Sequence, residues 1–156
     1  VKRFSAGLAV IMACALAFPA RADDLQVLKV KTDFDTLKQD VADAIVDRGY
    51  VIDHTSLIGK MLDRTGGDVG STRKLYSDAE TVQFCSAVLS RTMMEADPSN
   101  IALCPFVIFY YERADQPGVV YVGYRELEER GSESSEAAIK AINRLLREII
   151  EDVAGG

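Results

Sequence analysis

The chain has 156 residues, with 18 Lys and Arg against 24 Asp and Glu, for a formal charge of −6. An apolar fraction of 48 % and a charged fraction of 27 % are those of a globular domain. They exclude a disordered chain, a collagen, a coiled-coil rod and a polytopic membrane protein, and the length fits one domain.

Residues 1–22 stand apart in composition. Lys2 and Arg3 precede an apolar run from Phe4 to Pro19, and Ala20-Arg21-Ala22 then offers a small-x-small cleavage site before Asp23-Asp24. This is the pattern of a secretory signal peptide, and the run is shorter than the ~20 residues of a membrane span. Ile11-Met12-Ala13-Cys14 is loosely similar to a lipobox, although Met12 is bulkier than that motif wants. The expected organisation is a signal peptide over 1–22 and a single domain over 23–156, periplasmic or secreted, with no membrane span after cleavage. The mature chain would carry 15 basic and 24 acidic residues, a charge of −9. That balance argues against nucleic acid as a partner, because phosphate binding needs clustered Lys and Arg. Two cysteines would remain, Cys85 and Cys104, in a compartment that permits disulfides.

From Asp24 onward strands and helices alternate. Gln26 to Lys31 alternates polar and apolar residues and reads as a strand. Thr32 can cap a helix with the stripe Phe34, Leu37, Val41, Ala44 and Ile45, ended by Gly49. Tyr50 to Thr55 reads as a strand and Leu57 to Arg64 as a short helix closed by Gly66-Gly67. Lys74 to Tyr76 is a weak strand. Ser77-x-x-Glu80 reads as a capping box that opens a helix reaching about Ala96, stopped by Asp97-Pro98. Ile101 to Tyr111 and Val119 to Arg125 are apolar strands joined by a hairpin loop over 112–118. Ser132 to Ser135 start a last helix with the stripe Ile139, Ile142, Leu145, Leu146, Ile149, Ile150 and Val153. The expected fold is α+β, a mixed or antiparallel sheet of four to five strands with about three helices.

The long strand is apolar on both sides. Phe106, Ile108 and Tyr110 share one face, and Val107, Phe109 and Tyr111 the other. The next strand adds Tyr121 to one face and Val120, Val122 and Tyr124 to the other. A sheet covered on one side only should show a polar second face. Either helices cover both faces, or an apolar sheet face meets something else, for which Phe109, Tyr111, Tyr121 and Tyr124 are the candidate residues. That something is a second copy in a homodimer, a small ligand or an envelope protein.

Chemistry-bearing residues are few. With Cys85 a third of the way along its expected helix, the chain runs roughly 18 Å on to Asp97. It then climbs back about 13 Å along the strand from Asn100 to Cys104. The two sulfurs can therefore lie level, as a disulfide, as two buried thiols or as a functional thiol or metal pair. His54, the one histidine, together with Cys85 and Cys104 would make a three-ligand set for a soft metal or haem. The spacings of 31 and 19 match no zinc template. Cys104-Pro105 implies an edge, a bulge or a cis bond. Thr65 to Thr72 is Gly-rich but lacks the Gly-Lys-Ser/Thr ending of a phosphate loop and reads as a turn. Met93-Met94 fits core packing better than copper ligation. No catalytic constellation can be singled out, and no cofactor is required.

Phe84-Cys85-Ser86-Ala87, Met93 to Pro98, Asn100 to Phe106 and Gly118 to Arg125, with Asp47-Arg48-Gly49-Tyr50 upstream, give the chain a resemblance. It resembles the bacterial and archaeal family catalogued as domain of unknown function 302, over roughly Lys31 to Glu126. The resemblance implies a compact α+β domain that is sometimes exported, and supplies no activity, cofactor or catalytic residues. Many family members carry Pro-Cys at the start of the long apolar strand, where this chain has Cys104-Pro105. The functional expectation is an exported binding or accessory module, dimeric through its apolar sheet face. The alternatives are a thiol- or metal-dependent redox protein using Cys85, Cys104 and His54, and a component that stabilises a larger envelope complex.

Overall fold

The computed structural model describes residues 24–155. The expected signal peptide, with Cys14, lies outside the described residues.

Five strands form one sheet. They are β1 (Leu25–Val30), β2 (Val51–Ser56), β3 (Tyr76–Cys85), β4 (Phe106–Arg113) and β5 (Val120–Arg125), ordered β1-β5-β4-β3-β2. Every neighbouring pair is antiparallel. The helices are α1 (Phe34–Val46), α2 (Ile58–Thr65), α3 (Ala87–Ala96) and α4 (Glu133–Gly155), with a 3-10 helix over Pro98–Leu103. The architecture is α+β with a wholly antiparallel sheet, as expected of the class.

Side-chain spacing explains the helices at either end. In α1 the residues at helical period, Phe34, Leu37, Val41 and Ile45, are buried, and Ala44 packs beside them. The cap is Asp33 rather than Thr32. Its carboxylate accepts from the Thr36 N–H at 2.9 Å and from the Thr36 hydroxyl at 2.7 Å, which holds it below the ordinary carboxylate range. Gly49, with φ of 80°, turns the chain into β2. In α4 all seven expected stripe residues are buried.

One element differs in kind. The segment from Ser77 is not a helix but β3. Glu80, Val82 and Phe84 face one way in alternation with Thr81, Gln83 and Cys85, a period of two. The strand is claimed by ladders on both sides, β2 and β4, which outweigh the local capping-box signal. The true cap is Ser86, whose hydroxyl accepts from the Leu89 N–H at 3.3 Å to open α3. Likewise 98–103 is a 3-10 turn capped by Asp97, and β4 starts only at Phe106. The Cys104–Pro105 peptide is cis, one of the three conformations expected there.

The core lies on one face of the sheet. Val82, Phe84, Phe106, Ile108, Tyr110, Val120, Val122 and Tyr124 pack there against α1, α4 and Met93 of α3. Phe84 is flanked by Tyr50 and Phe106, with ring centroids 5.8 and 5.9 Å away. Polar groups are built into this side, Glu80 and Asn143 among them. Glu80 is buried, accepting from Lys38 Nζ at 2.9 Å and from the Tyr110 hydroxyl at 3.2 Å. Burial and the Glu80 charge push the Tyr110 hydroxyl pKa up. Asn143 on α4 clamps the backbone of Leu127, with its amide donating to the carbonyl and accepting from the N–H, both at 2.9 Å.

Candidate functional site

The second face of the sheet is where the strands' other residues emerge. Leu25, Val27 and Lys29 of β1, Tyr121, Gly123 and Arg125 of β5, Val107, Phe109 and Tyr111 of β4, and Ala79, Thr81 and Gln83 of β3 alternate with the core set. Helix α2 closes on this side only at β3, where Gly59 lies so near Ala79 that a Cβ would come within 2.9 Å of its nitrogen. The rest is open. Val27 is 40 % and Val107 36 % exposed, whereas core Ile108 and Val122 are fully buried.

Aromatic rings organise this open face. Tyr111 and Tyr121, cross-strand partners, stack with centroids 4.9 Å apart and planes parallel within 1°. Phe109 continues the stack at 6.2 Å and Tyr76 meets Tyr111 edge-on at 5.3 Å. The Lys29 ammonium stands 5.3 Å from the Tyr121 ring centre. The Tyr121 hydroxyl donates to Gln116 in the β4–β5 loop at 2.6 Å. Burial, with neighbouring Tyr121 and Tyr76, raises the pKa of Tyr111. Gly123 sits opposite Phe109, whose ring lies over it, and a Cβ there would approach the ring within 2.7 Å and run into the Gln26 carbonyl. Position 123 therefore needs glycine for space.

A groove of about 450 Å³ opens at one end of this face, lined among others by Leu25, Leu103, Pro105, Val107, Phe109 and Arg125. At the opposite end a second groove of about 520 Å³ is lined by Arg73, Lys74, Tyr76, Tyr111, Arg113 and Asp115. Arg113 is held by Asp115 through two hydrogen bonds of 2.8 and 2.7 Å, which raises the arginine pKa and lowers that of the acid.

Of the four expected sheet-face residues, Phe109, Tyr111 and Tyr121 meet on the open face. Tyr124 does not. Strand alternation turns it to the helix side, where it is fully buried with Val120 and Val122. Tyr76, Lys29, Val27 and Val107 complete the face. The alternation along β4 already groups Val107 with Phe109 and Tyr111, and that of 26–31 carries the signal for Val27 and Lys29, whereas Tyr76 joins only through the fold.

Cys85 and Cys104 come together, but not as a helix residue and a strand residue. Cys85 ends β3 and Cys104 follows the 3-10 helix, and their sulfurs lie 3.4 Å apart. The register that pairs Phe84 with Phe106 places them there. Ser90 Oγ of α3 lies 3.3 Å from Cys104 Sγ. Burial, then the hydrogen bond to Cys104, pushes the Cys85 thiol up to about 11. His54 is exposed on edge strand β2, opposite Gln83. It does not join the cysteines: among the described residues no group of three or more His, Cys, Asp or Glu is placed to hold a metal ion. The three-ligand metal or haem set is thus corrected, because β2 registers His54 on Gln83 while Cys85 falls opposite Val51. Met93 is fully buried and Met94 packs against the core. The 65–72 segment is a turn tied by Asp68 N–H to Thr65 and Ser71 N–H to Gly66. Among the described residues no helix is long and apolar enough to cross a membrane.

Among curated proteins nothing matches this chain. Among solved structures, an uncharacterized conserved protein DUF302 from Bacillus stearothermophilus is similar, with a TM-score of 0.70 at 10 % identity, covering 85 % of this chain and 99 % of that one. At that identity the likeness speaks for the fold. A family model described as "Domain of unknown function DUF302" matches residues 26–153, nearly the whole of the described domain, and the chain belongs to that family.

Proposed function

We propose that this protein is a binding module acting outside the cytoplasm, and that its open sheet face is the binding surface, occupied in the first instance by a second copy of the chain. The observation that carries the reading is the open face itself. Val27 and Val107 stand more than a third exposed beside the Phe109–Tyr111–Tyr121 stack, on strands whose other side is a closed core. Contiguous apolar surface of this kind marks interaction sites. Three strands clear of α2, at ~4.8 Å spacing and ~3.3 Å rise, make a face roughly 15 Å by 20 Å. Extended by the adjoining groove, it has the size of a small interface, below the ~800 Å² each partner buries in a standard one, which suits a concentration-dependent dimer. Open antiparallel sheets pack face to face about 10 Å apart, and aromatic and β-branched side chains fill such a layer. Location outside the cytoplasm rests on residues 1–22, whose basic start, apolar run and Ala20-Arg21-Ala22 site supply the export pattern.

Sedimentation equilibrium of the purified protein tests the first part. A dimer is expected, and Val107→Lys should return it to monomer without unfolding it. A monodisperse monomer at high protein concentration overturns the self-association. A monomer that binds an apolar fluorescent probe in the Leu103–Val107–Phe109 groove would instead make the occupant a small apolar ligand. Cell fractionation with N-terminal sequencing tests the second part. The expected mature chain begins at Asp23, and an uncleaved cytoplasmic product refutes export.

A further inference from the structure

We propose that Cys85 and Cys104 are a disulfide-forming pair, oxidised by exchange with a small or protein disulfide, and that the bond fastens the wall of the apolar groove to the end of β3. Four observations carry this. The two sulfurs already touch at 3.4 Å. They flank the core pair Phe84 and Phe106, whose cross-strand register and edge-on ring contact fix the backbones on which they stand. Both cysteines are half-buried, reachable by a small thiol reagent yet held against each other. Cys104 also lies between Leu103 and Pro105, two residues of the groove wall.

The exchange follows from these positions. The Cys104 thiolate, with the Ser90 hydroxyl 3.3 Å away to donate a hydrogen bond to it, attacks one sulfur of the incoming disulfide. One S–S bond forms, one breaks, and a thiolate leaves. The neighbouring Cys85 sulfur gives up its proton to solvent and attacks Cys104 Sγ. The Cys85–Cys104 bond forms and the second thiol is released. Two protein thiols are oxidised and one external disulfide is reduced to two thiols, so atoms and electrons balance. The raised pKa of Cys85 suits the second, intramolecular role, because a protonated thiol is a poor first attacker.

Peptide mapping tests this on the full chain. The protein is reduced, freed of reductant, exposed to oxidised glutathione under native conditions, alkylated and cut with trypsin. Cleavage after Arg91 separates Cys85, in peptide 75–91, from Cys104, in peptide 92–113. The expected product is these two peptides joined, parting on reduction. The thermal midpoint should rise by about 5–10 °C relative to the reduced protein. Cys85→Ser should leave a glutathione adduct stranded on Cys104, with no rise. Two alkylated cysteines, a stable glutathione adduct on the wild-type pair, or a bond from either cysteine to Cys14 would each overturn the proposal. The wild-type mapping stands alone if the variant fails to fold.

Discussion

The two faces of one sheet are built from neighbouring residues of the same strands, yet they meet opposite fates. On β4, Phe106, Ile108 and Tyr110 are almost wholly removed from solvent, while Val107, Phe109 and Tyr111 between them stay partly open. Hydrophobicity does not separate the two sets. What separates them is the placement of α1 and α4, whose apolar stripes need a surface and find it on one side only. Once those helices are spent, the other face has α2 over β3 and little else, and its aromatic residues pack sideways against one another.

Substitutions can break or sharpen this contrast. The largest effect is expected at Phe84→Ala, which empties the space between Tyr50 and Phe106 on the covered face and should cost about 3–5 kcal/mol in urea unfolding. Next comes Gly123→Ala on the open face, at about 1–3 kcal/mol, because the new methyl meets the Phe109 ring and the Gln26 carbonyl. Its signature would be loss of hydrogen-exchange protection in β1 first. Glu80→Ala should cost about 1–3 kcal/mol, since it leaves the buried Tyr110 hydroxyl without its acceptor. Val107→Ser should change stability by less than about 0.5 kcal/mol at protein concentrations where the chain is monomeric. A core-sized loss there would mean that the face is closed within the chain, and the contrast would fail.

The cysteine pair gives a pH test. Folding raises the Cys85 thiol from an ordinary 9.0 to about 11. The unfolded thiol therefore sheds its proton first, and reduced protein should lose stability as pH climbs from about 9 toward about 11. Below 9 this contribution is fully present. Alkylation of Cys85 should be slow at neutral pH and quicken about tenfold per pH unit until that value. Fast alkylation of Cys85 at pH 7 would contradict the burial that protects it.

Much of the fold was legible in the sequence because local periodicity and burial agree. The stripes of α1 and α4 are dense and regular, the turn at Gly49 is marked by its glycine, and the β4–β5 hairpin by Gln116-Pro117-Gly118. The misreading at Ser77–Glu80 arose where a local motif competed with a ladder that has to be supplied from two distant strands. The assignment of Tyr124 to the wrong sheet face is of a smaller kind, since alternation along β5 already set it opposite Tyr121.

The sequence by itself determined the α+β class, the family, the two-sided apolar character of β4 and the identity of the residues worth watching. The family rests on the resemblance of its motifs, and the others follow from composition and short-range pattern. Only the tertiary structure decided which side of the sheet the helices cover, that Cys85 and Cys104 touch while His54 stays apart, and that Tyr111, Tyr121 and Phe109 stack. Those outcomes depend on register between strands far apart in the chain. A one-residue slip in pairing would turn every one of these side chains to the opposite face.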